Sequence, residues 1–289
     1  MNGKRAGCTC PFLFGVSGIM MKVGYFQSHP EFGEVKKNLD QFASRVGTVD
    51  CELLVLPELA FSGYQFVSQE EVLDLSEPVP DGPTTQTCLD LARQHDMHLV
   101  VGLPEREGNQ CYNSAIVVGP SGYVGCYRKT HLFFEETLFF APGNSGLQVW
   151  DIGQARIGVM ICFDWYYPEV ARTLALNRAD ILCHPSNLVL PHCPDAMVTR
   201  SLENRVFSIT ANRIGQEARG GKPPLTFIGK SQVVSPKGKI LCRAPIDQEE
   251  WMVVDTEVNE ARDKSINPYN DLLKDRRPEM YVSDVKRNP

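Results

Sequence analysis

The sequence predicts an α/β fold in which helices cover buried sheets. Three observations point there. Short apolar runs alternate along the chain with longer stretches of helical period, the order expected when helices pack on sheets. Two runs, Leu53-Leu-Val-Leu-Pro57 and Ile157-Gly-Val-Met-Ile161, have continuous apolar character instead of alternating, as strands do when both faces are covered. At 289 residues, 43% of them hydrophobic, the chain can also bury one large core, and its length permits one or two domains.

Taken in order, residues 1–20 are read as an extension without fixed structure. Lys4 and Arg5 precede a mildly apolar run that superficially resembles a signal peptide, but Pro11 and two glycines interrupt it and no small-residue cleavage site precedes Met21. A cytoplasmic location is the expectation that follows. Val23–Gln27 reads as the first strand. Glu34–Val46 reads as a helix, because Val35, Leu39, Phe42 and Val46 recur at helical spacing and give one apolar stripe. Strands are then expected at Leu53–Pro57, Leu99–Leu103, Ser114–Val118, Tyr123–Tyr127, Ile157–Cys162, Ile181–His184, Phe207–Ala211, Ser231–Val234 and Met252–Val254. Helices are expected at Thr84–His95, Pro168–Asn177 and Asp195–Asn204. After Val258 the chain becomes charged and loses its period, and residues 282–289 read as a tail.

Composition excludes several classes. A net charge of −6 without a long basic run removes the electrostatic footprint of a nucleic-acid binder. No apolar stretch is long enough to span a bilayer, so no membrane partner is expected. The ten cysteines are scattered through strands and helices of a large chain, which favours reduced thiols over a disulfide framework. Cys183-His184 and His192-Cys193 invite comparison with a zinc site. Adjacent ligands in a strand point to opposite faces, however, so each pair would supply one ligand and leave the set short. No metal is expected.

Three polar residues stand where buried strands end. Cys162 closes the run from Ile157 and is followed by Phe163, Asp164 and a helix restart at Pro168, with Glu169 placed to complement the helix dipole. A thiol at such an elbow points into a cleft beside free backbone N–H groups, as in the nucleophile elbow of lipases. The plainer reading is a small buried apolar residue. Glu58 ends the strand from Leu53, where desolvation would raise its pKa toward that of a general base; a cap or a solvated charge is the alternative. Lys129 follows the strand Tyr123–Tyr127, either snorkelling to solvent or donating to an oxyanion and holding a carboxylate ionised.

In that chain order, Glu58, Lys129 and Cys162 resemble the nitrilase superfamily of carbon–nitrogen hydrolases. The motifs are Leu56-Pro-Glu58 with Gly63-Tyr64, Tyr127-Arg-Lys129 with His131-Leu132, and Cys162-Phe-Asp164 with Pro168-Glu169. The likeness runs from Met21 to Tyr281 and implies a single carbon–nitrogen hydrolase domain over 21–281. It implies a four-layer αββα sandwich, a second sheet that periodicity alone does not reveal, and a C-terminal segment reaching across to another subunit of a homodimer or higher homo-oligomer. It also implies that Glu58, Lys129 and Cys162 form a catalytic triad acting through a cysteine thioester with no cofactor. Glu136 would take the place of a second glutamate that orients lysine and substrate, with Glu135 as its neighbour in sequence. Tyr64, Phe163, Trp165 and Asn187 would contact substrate, with the Phe163 N–H stabilising the oxyanion.

Members acting on N-carbamoyl amino acids carry arginine shortly after the cysteine, whereas this chain has Trp165 and Tyr166 there. A small neutral amide is therefore the expected substrate. Cys-Phe-Asp-Trp with His184-Pro185 and Asn187-Leu188 is also similar to small archaeal-type nitrilases, so a nitrile is the second expectation. An N-carbamoyl compound is a third, and a catalytically silent binding protein is the alternative from another class.

Overall fold

A computed structural model describes residues 18–281. The expectations for most of the N-terminal extension and for the tail at 282–289 fall outside these residues. Among the described residues, sixteen strands and seven α-helices follow one another. They are β1 (Met20–Gln27), α1 (Val35–Val46), β2 (Leu53–Val55), α2 (Gln69–Leu75), α3 (Pro83–His95), β3 (His98–Glu107), β4 (Gln110–Gly119), β5 (Gly122–Arg128) and α4 (Glu136–Phe139). Next come β6 (Val149–Asp151), β7 (Arg156–Val159), α5 (Pro168–Leu176), β8 (Ile181–Pro185), α6 (Cys193–Asn204), β9 (Phe207–Ala211), β10 (Gln216–Glu217), β11 (Leu225–Thr226) and β12 (Gln232–Val234). The last of these elements are β13 (Ile240–Arg243), β14 (Glu250–Glu257), α7 (Asn259–Arg262), β15 (Ser265–Asn267) and β16 (Asn270–Asp271).

One six-stranded sheet has the order β14-β1-β2-β3-β4-β5 and the other β13-β12-β9-β8-β7-β6. Side-chain alternation explains how they stack. Val23, Tyr25, Leu53 and Val55 share a core with Ile157, Val159, Ile181 and Ile209 of the second sheet. On the opposite face of the first sheet, Phe26, Leu54 and Leu56 pack with Leu39, Phe42 and Val46 of α1 and with Cys88 and Ala92 of α3. Val170 and Leu174 of α5 and Met197 of α6 pack on the second sheet. Each central strand thus has one face against the other sheet and one against helices, the reason its sequence is apolar throughout. The result is the four-layer αββα sandwich.

Strands β1–β2–β3 and β7–β8–β9 are parallel within their sheets. Their carboxyl ends, where ligands lie in open α/β sheets, therefore carry the loops that matter. Two expected strands end early there. The run from Leu53 stops pairing as strand at Val55, and the run from Ile157 stops at Val159. Pro57 has no N–H to give the ladder. Beyond Ile161 the chain enters a 3₁₀ turn, Cys162–Tyr166. The helix restart is as expected: Pro168 occupies the first turn of α5 and Glu169 follows it. In the C-terminal arm, Lys264 Nζ donates to the carbonyls of Asn204 and Arg205, while Ile266 and Tyr269 remain exposed.

Candidate active site

Glu58, Lys129 and Cys162 each follow a strand, β2, β5 and β7, and all three are buried. Lys129 does not snorkel. Its side chain is 0% exposed, and Nζ donates to Glu58 Oε1 at 2.6 Å and to Glu136 Oε1 and Oε2 at 2.7 and 2.8 Å. The neighbouring Glu135 pairs instead with Lys222, so the second carboxylate on Lys129 is Glu136. Tyr64 donates its hydroxyl to Glu136 Oε1 at 2.6 Å. Glu58 Oε2 is buried without a hydrogen-bond partner among the described residues, which leaves that oxygen free for a proton.

Local backbone fixes these positions. Glu58 sits against Gly102 of β3, where a Cβ would lie 2.5 Å from the Glu58 Cα; no side chain fits between the strands there. Cys162 has φ of +40°, a left-handed conformation that costs a non-glycine residue about 1–2 kcal/mol. The elbow is held against that strain by Asp164. One carboxylate oxygen accepts from the Ile161 N–H and the Tyr127 hydroxyl, both at 2.8 Å. The other accepts from the His131 N–H at 3.2 Å and lies 2.8 Å from His131 Nδ1. On the other side, His184 Nε2 lies 2.9 Å from the Cys162 carbonyl and Nδ1 lies 3.1 Å from the Thr210 hydroxyl. His184 is thereby engaged with the elbow, and among the described residues no group of three or more His, Cys, Asp or Glu could hold a metal ion.

Burial raises the Glu58 carboxyl to about 7; the Lys129 ammonium opposes this and Glu136 adds to it. Burial also pushes the Cys162 thiol well above its usual range, and the Glu58 charge pushes it further. Lys129 and a hydrogen bond from the Asn187 N–H pull the thiol back in part. Burial pulls the Lys129 ammonium down, but Glu136 and then Glu58 outweigh it, so its pKa ends above the usual lysine value. At neutral pH the sulfur therefore keeps its proton, beside a carboxyl group that titrates near that pH. Burial lowers His184 to about 4, which keeps its imidazole neutral.

The cleft at Cys162 is lined by Phe133, Phe163, Trp165, Asn187, Leu188, Val189 and Leu190, and its empty volume out to the mouth is about 250 Å³. Of the residues expected to touch substrate, Phe163, Trp165 and Asn187 line this cleft, and the Asn187 amide also donates to the Glu58 carbonyl at 2.8 Å. Tyr64 and Glu136 line an adjoining depression with Phe134 and Phe139. Tyr166 is 57% exposed and does not line the cleft, so only Trp165 of that pair faces the site.

Sequence reasoning missed Asn113. This residue of β4 is buried, and its amide nitrogen donates to Glu58 Oε1 at 2.7 Å and lies 3.5 Å from Glu136 Oε2. Its trace in the sequence is a polar pair, Asn113-Ser114, just ahead of the apolar run Ala115–Val118. Asp164, His131 and Tyr127 stood in the motifs, but their mutual contacts were not foreseeable.

Comparison with known proteins identifies the family. The chain matches the family described as carbon-nitrogen hydrolase over residues 22–264. It is 46% identical over 265 residues to a nitrilase of Pyrococcus abyssi, covering 91% of this chain and 99% of that one. The crystal structure of a carbon-nitrogen hydrolase from Helicobacter pylori G27 superposes with a TM-score of 0.83 at 26% identity, over 93% of this chain and 99% of that chain. A variant of the amidase from Nesterenkonia sp. AN1, solved with acrylamide added at its active site cysteine, aligns at 27% identity and a TM-score of 0.73, over 90% of this chain and 97% of that chain. With the four-layer sandwich and a family match over residues 22–264 in agreement, this chain belongs to the carbon–nitrogen hydrolase family.

Proposed function

We propose that the chain hydrolyses a small, neutral amide to a carboxylic acid and ammonia through a thioester on Cys162. The observation that carries this reading is the buried Glu58–Lys129–Glu136 cluster beside a thiol at a strained elbow. Glu58 takes the thiol proton as sulfur attacks the carbonyl carbon. The Lys129 charge and the Phe163 N–H stabilise the oxyanion of the tetrahedral intermediate. Glu58 then passes its proton to nitrogen as the C–N bond breaks and ammonia leaves. Water, deprotonated by Glu58, attacks the thioester, and the acid departs as sulfur regains its proton. No step calls for a metal or an organic cofactor.

The substrate class follows from the lining. Phe133, Phe163, Trp165, Leu188, Val189 and Leu190 carry no charge, and the nearby arginines are engaged elsewhere. Arg200 bonds the Trp165 carbonyl and Glu203, and Arg213 pairs with Glu217. A carboxylate would enter without a cationic partner, which costs a few kcal/mol and corresponds to roughly a hundredfold or more in efficiency. A nitrile is the second reading, favoured by the 46% identity to the Pyrococcus abyssi nitrilase. There Glu58 protonates the nitrile nitrogen as sulfur adds to carbon, and stepwise hydration releases the same ammonia.

Ammonia release across matched amides, nitriles and N-carbamoyl compounds separates these readings. Neutral amides are expected to exceed their ω-carboxylated analogues in kcat/KM by roughly a hundredfold or more. Preference for the acids would refute the neutral-substrate assignment, and turnover of nitriles alone would move the chain to the second reading.

A further inference from the structure

We propose that Asn113 is a positioning residue that divides the labour of the two Glu58 oxygens, holding Oε1 so that Oε2 alone exchanges protons with Cys162 and the substrate nitrogen. The inference rests on the function proposed above and adds a residue to it. Asn113 is 1% exposed on β4, and its amide nitrogen donates to Glu58 Oε1 at 2.7 Å. Lys129 Nζ approaches the same oxygen at 2.6 Å. With two donors on Oε1 and none on Oε2 among the described residues, the carboxylate is electrically asymmetric, and the bare oxygen is the more basic one.

The same amide nitrogen lies 3.5 Å from Glu136 Oε2, so Asn113 stands between both carboxylates that flank Lys129. Only the nitrogen end of the amide can face two carboxylates, because a carbonyl oxygen there would meet lone pairs on both. A carboxamide at 113 is therefore a chemical requirement; an isosteric aspartate would set a third carboxylate against the other two. Its backbone does separate work, since the Asn113 carbonyl accepts from the Lys129 N–H at 2.8 Å and the residue pairs with Pro104 across the β3–β4 ladder. These bonds survive a side-chain change, so the side-chain role can be tested alone.

The charged and titratable groups facing Glu58 are Lys129 at the end of β5, Glu136 on α4, Cys162 at the elbow and Tyr64 on the loop after β2. Asn113 favours the charged form of Glu58, so losing its hydrogen bond raises the Glu58 pKa. The base is active when deprotonated, and its protonation sets the acid limb of the pH profile. That limb must therefore move to higher pH when the bond is lost.

The experiment measures kcat/KM against pH for the wild type, Asn113→Ala and Asn113→Asp, with thermal unfolding of each. Asn113→Ala is expected to move the acid limb up by about one pH unit, with kcat falling more than KM rises. Asn113→Asp, which keeps the shape, is expected to move it further. If the alanine variant does not fold, the aspartate variant makes the same comparison. An unmoved limb in a folded variant overturns the proposal, as does a loss confined to KM. If the wild type turns over no amide or nitrile, the reading of function fails first. The role of Asn113 is then read from the pH dependence of iodoacetamide alkylation at Cys162, which is expected to shift in the same direction and which, unshifted, overturns it.

Discussion

At the scale of single residues, the site depends on a contest between desolvation and charge pairing. Lys129 carries one positive charge between two buried carboxylates, so removing it leaves two buried carboxylates without their cation. Lys129→Ala and Glu58→Gln are each expected to lower kcat/KM by roughly 10³-fold or more, approaching loss of the thiol itself, because residues that act as a unit are not additive. The pH dependence has a definite sign. Glu58 titrates at about 7 and the proposed reaction needs it as the carboxylate, so kcat/KM should fall as pH drops below about 7 and level off above it. An acid limb near the usual carboxylate value, about 4.3, would contradict the burial that raises Glu58. Glu58 and Cys162 were legible as candidates because a charge or thiol at the end of an apolar run is conspicuous. Asn113 was not, because a neutral amide inside a strand looks like any buried polar residue until its partners are seen.

At the scale of elements, the elbow after β7 is the feature on which placement of the sulfur depends. A left-handed Cys162 persists because Asp164, Tyr127, His131 and His184 over-determine the turn around it. Asp164→Ala removes the acceptor for the Ile161 N–H and the Tyr127 hydroxyl together. It is expected to cost about 2–4 kcal/mol of stability and at least tenfold in kcat, measured by denaturant unfolding and by turnover of the folded fraction. A variant with normal unfolding and normal kcat would show that the elbow needs no such support. Strand and helix positions were largely readable, since the stripe of Val35, Leu39, Phe42 and Val46 and the continuous run from Leu53 each match one period. Their ends were less so. The expected strand through Cys162 stops at Val159, because the hydrogen bonds that turn the chain come from Asp164 and from residues far along the sequence. Short elements such as β6, β13, α2 and α4 carry too few residues for a period to register.

At the scale of the whole molecule, the fold works by convergence. Glu58 and Lys129 lie 71 residues apart, Glu58 and Asn113 55 apart, and Glu58 and Asn187 129 apart, yet all meet where the strands of two sheets end. An alternation of strands and helices establishes the α/β class but not that two sheets stack. The second sheet became an expectation only through the order of the three motifs, and the packing of Val23 and Tyr25 against Ile157 and Ile181 bears it out. The central claim, that this architecture exists to make a thioester on one sulfur, is tested most directly by acid-quench mass spectrometry of the intact chain during turnover. The wild type is expected to gain the mass of the acyl group. Cys162→Ala, which removes little volume and should fold, is expected to show neither that added mass nor ammonia release. Adding Glu58→Gln to Cys162→Ala should then cost nothing more. Ammonia release at wild-type rate from folded Cys162→Ala, or an acyl group found on another residue, would contradict the account.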